Sequence, residues 1–91
     1  MNADQARDLA DICRMLGDPT RVLILATLSD GAKSVGSLCE KLKLPQPTVS
    51  HHLALLRGTG LAVRQRRGKE MYYQIDGAIL KQVSKFVRSL K

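Results

Sequence analysis

Ninety-one residues with 15 Lys+Arg against 8 Asp+Glu make a small, strongly basic chain of formal net charge +7. That length bounds it to one domain, residues 1–91, burying only roughly 60–65% of its unfolded surface, so a partner subunit would add stability. No run approaches the ~20 apolar residues of a membrane span, the polar opening MNADQARDLAD has no apolar signal core and points to a cytoplasmic chain, and two cysteines are too few for a disulfide scaffold.

Residues 4–16 place Ala6, Leu9, Ala10, Cys13 and Leu16 at helical spacing, and Gly17 ends that helix. Asp18-Pro19 restarts the chain, Asp18 as N-cap and Pro19 in the first turn. The second helix runs to about Leu28, with Val22, Leu25 and Leu28 inward and Ile24 flanking. Ser29-Asp30-Gly31 is a turn. Lys33-Ser34-Val35 is a short extended piece. A third helix over about 36–42 aligns Leu38, Cys39 and Leu42 with Val35. Leu44, before Pro45, is held extended.

The fourth helix is QPTVSHHLALLRG, 46–58. Pro47 fits its first turn, where a missing N–H costs nothing. Val49, His52, Leu53 and Leu56 form the inward stripe; Pro47, Ser50, His51 and Ala54 lie opposite; Gly58 and Gly60 end the helix. Leu61–Arg67 and Glu70–Ile75 flank Gly68-Lys69 and read as a β-hairpin. Asp76 caps a last helix striped with Ile79, Leu80, Val83, Phe86, Val87 and Leu90. The fold class is therefore mainly α with a β-hairpin, in the order α-α-α-α-β-β-α, a winged helix-turn-helix.

The charge is uneven. Residues 1–32 hold five aspartates against Arg7, Arg14 and Arg21, and the remainder sets twelve cations against Glu40, Glu70 and Asp76. A polyanion facing one part of the domain accounts for such a split. A major groove about 12 Å wide admits one helix. Gln46, Thr48, Ser50 and His51 are short or planar hydrogen-bonding side chains suited to base edges. Thr20, Ser34, Arg57, Arg64, Arg66, Arg67 and Lys69 are the candidates for the DNA backbone, with the hairpin tip supplying mobile cations to the flanking backbone or minor groove over 64–70. Lys81, Lys85, Arg88 and Lys91 read as the wet face of the last helix. Adjacent His51 and His52 diverge by about 100° on a helix and do not share a metal. His52 reads as a buried, hydrogen-bonded structural residue and His51 as a DNA contact, whose protonation would favour binding at lower pH. Tyr72, Tyr73 and Phe86 are the only aromatics, too few for a platform that stacks single-stranded bases.

The stretches DPTR, SVGSLCEKL, QPTVSHHLALLRGTGL and RRGKEMYYQI, in this order and spacing over residues 16–76, resemble the ArsR/SmtB family of winged-helix repressors. The resemblance implies a homodimer through the first and last helices, an inverted-repeat operator in double-stranded DNA, and release on a signal. It also implies a structural role for Arg21 in DPTR. The family's Cys-x-Cys metal pair falls here on Ser34 and Gly36. Its zinc ligands in the last helix have no counterpart, because residues 77–91 contain no Asp, His, Glu or Cys. Its reactive-sulfur pair is also unmatched, with Ala26 and sulfur-free neighbours in the second helix. Cys39 matches a third thiolate of some arsenic-sensing members, but one thiolate makes no tight soft-metal site. No metal or cofactor is expected. Pro45 stands where the family usually has Ser or Thr, which leaves Gln46 to cap the reading helix.

The residues thus point to a sequence-specific transcriptional regulator, a repressor by resemblance. The alternatives are a nucleoid-type or RNA-binding basic protein, a protein-docking winged helix, and a redox-responsive regulator using Cys13 and Cys39. Those two cysteines otherwise pack as small hydrophobes. No nucleophile–base–acid set or phosphate loop indicates an enzyme.

Overall fold

The computed structural model describes residues 1–91. The chain runs α1 (Ala3–Met15), α2 (Pro19–Leu28), β1 (Lys33–Ser34), α3 (Val35–Leu42), α4 (Gln46–Gly58), β2 (Ala62–Arg67), β3 (Glu70–Ile75) and α5 (Gly77–Ser89). Each start follows local chemistry. Asn2 and Gln5 form a capping box at α1, and the side chains of Asp18, Ser34 and Asp76 accept from backbone N–H groups at the starts of α2, α3 and α5. The N-x-x-Q pattern at residues 2–5 is the sequence signature of that box.

The C-terminus of α4 is a Schellman turn. Gly60 donates to the Arg57 carbonyl and Leu61 to the Leu56 carbonyl, both at 3.0 Å. Gly60 has φ +82, and a Cβ there would stand 3.4 Å from Ile79. The turn drives Leu61 into the core and aims the chain into β2. The hairpin closes through Gly68 at φ +64, with Arg67 paired to Glu70 and Ala62 to Ile75. Strand β1 joins the other edge of β3, Lys33 opposite Tyr73 and Ser34 opposite Tyr72, giving the order β1-β3-β2. The extended character of 33–35 is local; its pairing to β3 is not.

One apolar cluster ties these elements together, with Ile24, Leu38, Val49, Leu53, Leu56 and Leu61 fully buried. Only 13 of 91 residues are buried, so each of these side chains carries a large share of a small domain's stability. In α2 the inward stripe is Ile24, Leu25 and Leu28, while Val22 is 47% exposed. The expected inward position of Val22 and flanking position of Ile24 are thus exchanged. In a run this uniformly apolar, PTRVLILATL, spacing does not select one stripe; packing against α3 and α4 does. No residue of α5 is buried, although its stripe is apolar: Phe86 is half-buried, Val87 and Leu90 exposed. With Met1, Ala6, Leu9, Ala10 and Cys13, Phe86 lines an apolar hollow on the outer side of α1.

Candidate nucleic-acid interface

Burial of Val49, Leu53 and Leu56 sets the rotation of α4. That rotation exposes Gln46, Pro47, His51, Ala54 and Arg57 and leaves Thr48 and Ser50 half-buried beside them. The four expected base-edge residues therefore share the first two turns of one helix, at its outward end. Gln46 does not cap this helix. The N-cap is Pro45, with no side-chain hydrogen bond, and the N–H groups of Thr48 and Val49 share the Pro45 carbonyl at 3.1 and 3.2 Å. Gln46 is the first helical residue, so its side chain starts from inside the turn it would have to cap. Its exposed amide makes no intramolecular hydrogen bond. Ahead of α4, Lys43 turns the chain with φ +55, a left-handed conformation without glycine.

Strand alternation divides the wing cations between two faces. Arg64 and Arg66 pair with Tyr73 and Met71, on the face that carries Ala62 into the core. Arg67 lies on the opposite face with Gln65 and Tyr72, and its guanidinium sits over the Tyr72 ring. Arg64, Arg66, Arg67 and Lys69 are all exposed. The expected hairpin cations are present, but the one at position 67 has a docking place on the wing itself. Tyr73, the other tyrosine of the alternating pair, is buried beneath the sheet.

The remaining expected backbone contacts lie apart. Arg57 is exposed in the last turn of α4, and Thr20 is half-buried in the first turn of α2. Ser34 is 7% exposed, and its Oγ accepts from the Ser37 N–H at 3.0 Å; its first role is to start α3. Sequence spacing alone does not reveal that commitment, because Ser at a helix start serves equally well as cap or as phosphate ligand.

Asp18, Arg21 and His52 meet behind α4. The Arg21 N–H donates to Asp18 Oδ2 at 3.1 Å, and that bond is the main reason the Asp18 carboxyl titrates below the usual carboxylate range. The Arg21 side chain reaches His52 Nδ1 at 3.3 Å, and the imidazole is largely shielded from solvent. Both residues are therefore occupied within the fold, as the sequence suggested. Cys39 is half-buried against the core, whereas Cys13 is exposed; both are free thiols. Cys13 lies on the face of α1 that shares a hollow with Phe86 of α5, yet it stays exposed, so the expectation that it packs as a small hydrophobe is not met inside one chain. No cluster of three His, Cys, Asp or Glu side chains stands close enough to hold a metal ion, and no helix is long and apolar enough to cross a membrane.

A core-anchored helix with a polar outer face, preceded by a tight turn and followed by a basic hairpin, defines a winged helix-turn-helix. The sequence pattern described as "bacterial regulatory protein, arsR family" matches residues 18–63, from the cap of α2 to the first residues of β2. The chain belongs to that family of transcriptional regulators. It is 38% identical to the HTH-type transcriptional regulator MJ1325 of Methanocaldococcus jannaschii over 89% of this chain and 92% of that one. It is 32% identical to the biofilm growth-associated repressor of Xylella fastidiosa over 81% of its length, which spans 65% of the repressor. An ArsR-like transcriptional regulator from Rhodococcus sp. RHA1 superposes with a TM-score of 0.90, at 28% identity, over 99% of this chain and 83% of that one.

Proposed function

We propose that this chain is a sequence-specific transcriptional repressor that binds an inverted repeat in double-stranded DNA as a homodimer. The observation that carries this reading is the division of α4: three fully buried side chains lock it to the core, and its free face presents Gln46, Thr48, Ser50 and His51. In this reading those four residues meet base edges in the major groove. Arg57, Arg64, Arg66, Arg67, Lys69 and Thr20 hold the sugar-phosphate backbone or the flanking minor groove, and Ser34 contributes by holding α3. The dimer forms through α1 and α5, whose apolar surface around Cys13, Phe86, Val87 and Leu90 has too little core of its own to cover it. A two-fold pair places two copies of α4 in successive major grooves about 34 Å apart.

Selection of duplexes from a random pool, followed by footprinting and sedimentation of the purified protein, tests the reading. Recovery of an inverted repeat with half-sites about one helical turn apart, bound by two chains, is the expected result. Equal binding to every duplex would replace it with a nucleoid-type function. Specific affinity should exceed non-specific affinity by roughly 10³-fold or more.

A further inference from the structure

A guanidinium only donates hydrogen bonds, and that of Arg21 uses all three of its corners. Nε donates to the Met15 carbonyl at 2.9 Å, Nη2 to the Arg14 carbonyl at 3.3 Å, and Nη1 meets His52 Nδ1 at 3.3 Å. The two carbonyls belong to the last turn of α1, where helix geometry leaves oxygens without intrahelical partners. His52 lies in the middle of α4, next to the exposed His51, the two rings 5.4 Å apart edge to face. Since a guanidinium cannot accept, the contact is a hydrogen bond in the His52 tautomer that leaves Nδ1 unprotonated. The guanidinium is planar with fixed N–H directions. One rigid group therefore joins the end of α1 to the middle of α4, and Asp18 holds the Arg21 backbone in place.

Building on the proposed dimer, we infer that Arg21 and His52 are positioning residues for DNA reading: they set the angle between α1, which carries the dimer face, and α4, which carries the reading face. In a two-fold assembly that angle fixes the separation and rotational phase of the two reading helices. The apolar contacts beneath α1 and α4 are non-directional and allow small rotations. Hydrogen bonds from a planar fork do not. Neither side chain needs to touch DNA to act this way.

Dependence on half-site spacing separates this role from simple stabilisation. A residue that only supports folding lowers the melting temperature and leaves the folded protein's spacing preference intact. The test uses a duplex selected from a random pool by the wild-type chain, together with the same half-sites moved one base pair closer or further apart. Wild type, His52→Asn, His52→Leu and Arg21→Lys are compared on all three. Asparagine offers an oxygen near the position of Nδ1 and should keep the wild-type preference. Leucine offers no acceptor, and lysine cannot span three partners; both should lower the preference roughly tenfold, the weight of one hydrogen bond to a charged group. If His52→Leu does not fold, the contrast between Arg21→Lys and His52→Asn decides alone. Full spacing preference in Arg21→Lys, or its loss in His52→Asn, overturns the inference while leaving the repressor reading standing. Absence of any paired half-sites in the wild-type selection overturns both.

Discussion

The guanidinium carbon of Arg67 lies 4.7 Å from the centroid of the Tyr72 ring, on the outer face of the wing. The Tyr72 hydroxyl in turn donates towards Glu70 Oε2 at 3.4 Å, and Glu70 is the residue opposite Arg67 in the ladder. A cation over an aromatic face gains about 0.5–1 kcal/mol at an exposed site. If Arg67 meets the DNA backbone as proposed, it does so as a cation already gathered against the strand. Removing the ring should release Arg67 and cost affinity without unfolding the domain. Tyr72→Leu and Arg67→Ala should each flatten the slope of log affinity against log salt by about one phosphate contact, and the double variant should lose little more than either alone. Tyr72→Phe, which keeps the ring, should bind like wild type. Salt titrations by fluorescence anisotropy check this; additive losses would show that the two residues act independently.

His51 is exposed on the free face of α4, whereas His52 is held against Arg21. His51→Ala should therefore weaken binding to a selected duplex by about 1–3 kcal/mol, the range of one good base contact, and leave thermal stability unchanged. Binding of the same variant to a scrambled duplex should change much less. Equal losses on both duplexes would assign His51 to the backbone instead of a base edge.

Asp18 connects stability to pH. Its folded pKa is lowered, first by the hydrogen bond from the Arg21 N–H. A depressed folded pKa adds stability that is complete above the unfolded value, about 3.9, and disappears as pH falls through the folded value. Asp18→Ala should melt below wild type at neutral pH, with the gap closing as pH drops through the acid range below about 4. Calorimetry over a pH series measures that gap; a constant difference would mean the side chain acts by something other than its charge and cap.

Leu53 is fully buried at the centre of the cluster. Leu53→Ala should cost about 2–5 kcal/mol in denaturant unfolding, a large fraction of what so small a domain possesses. DNA binding should fall with the folded fraction and recover when an excess of duplex pulls the equilibrium back.

Phe86 tests the assembly. It is half-buried over the hollow that Leu9 and Cys13 share. Phe86→Asp places a charge in the middle of the proposed dimer face, where a buried unpaired carboxylate is strongly unfavourable. Sedimentation should then show single chains, with tight specific binding lost and weak, salt-sensitive binding retained. A variant that still sediments as a dimer would move the interface elsewhere.

Much of this architecture was legible because its causes are local. Asp18-Pro19, Gln46-Pro47 and Gly68-Lys69 each carry their own turn or cap chemistry, and the stripe of Val49, Leu53 and Leu56 repeats at the spacing of one helix face. The exposed face of α4 followed from that stripe by elimination, so the candidate reading residues could be named in advance. Val22 and Ile24 could not be ordered, since both are apolar and only the neighbouring helices choose between them. Gln46 illustrates the opposite error: with Pro45 in place of the family's usual Ser or Thr the cap was passed to Gln46, but the first helical turn begins at Gln46 itself.

The chain's own order of residues determined its helices, its hairpin, its basic half and the polar tip of α4, because periodicity, caps and charge act over a few residues. Folding alone decided that β1 would pair with β3, that Arg67 would rest on Tyr72, and that Arg21 would bridge α1 to His52 from 31 residues away. Those are contacts between segments distant in the chain or set by side-chain geometry. Their partners are selected by the shape of a shared core, which no short window of sequence contains.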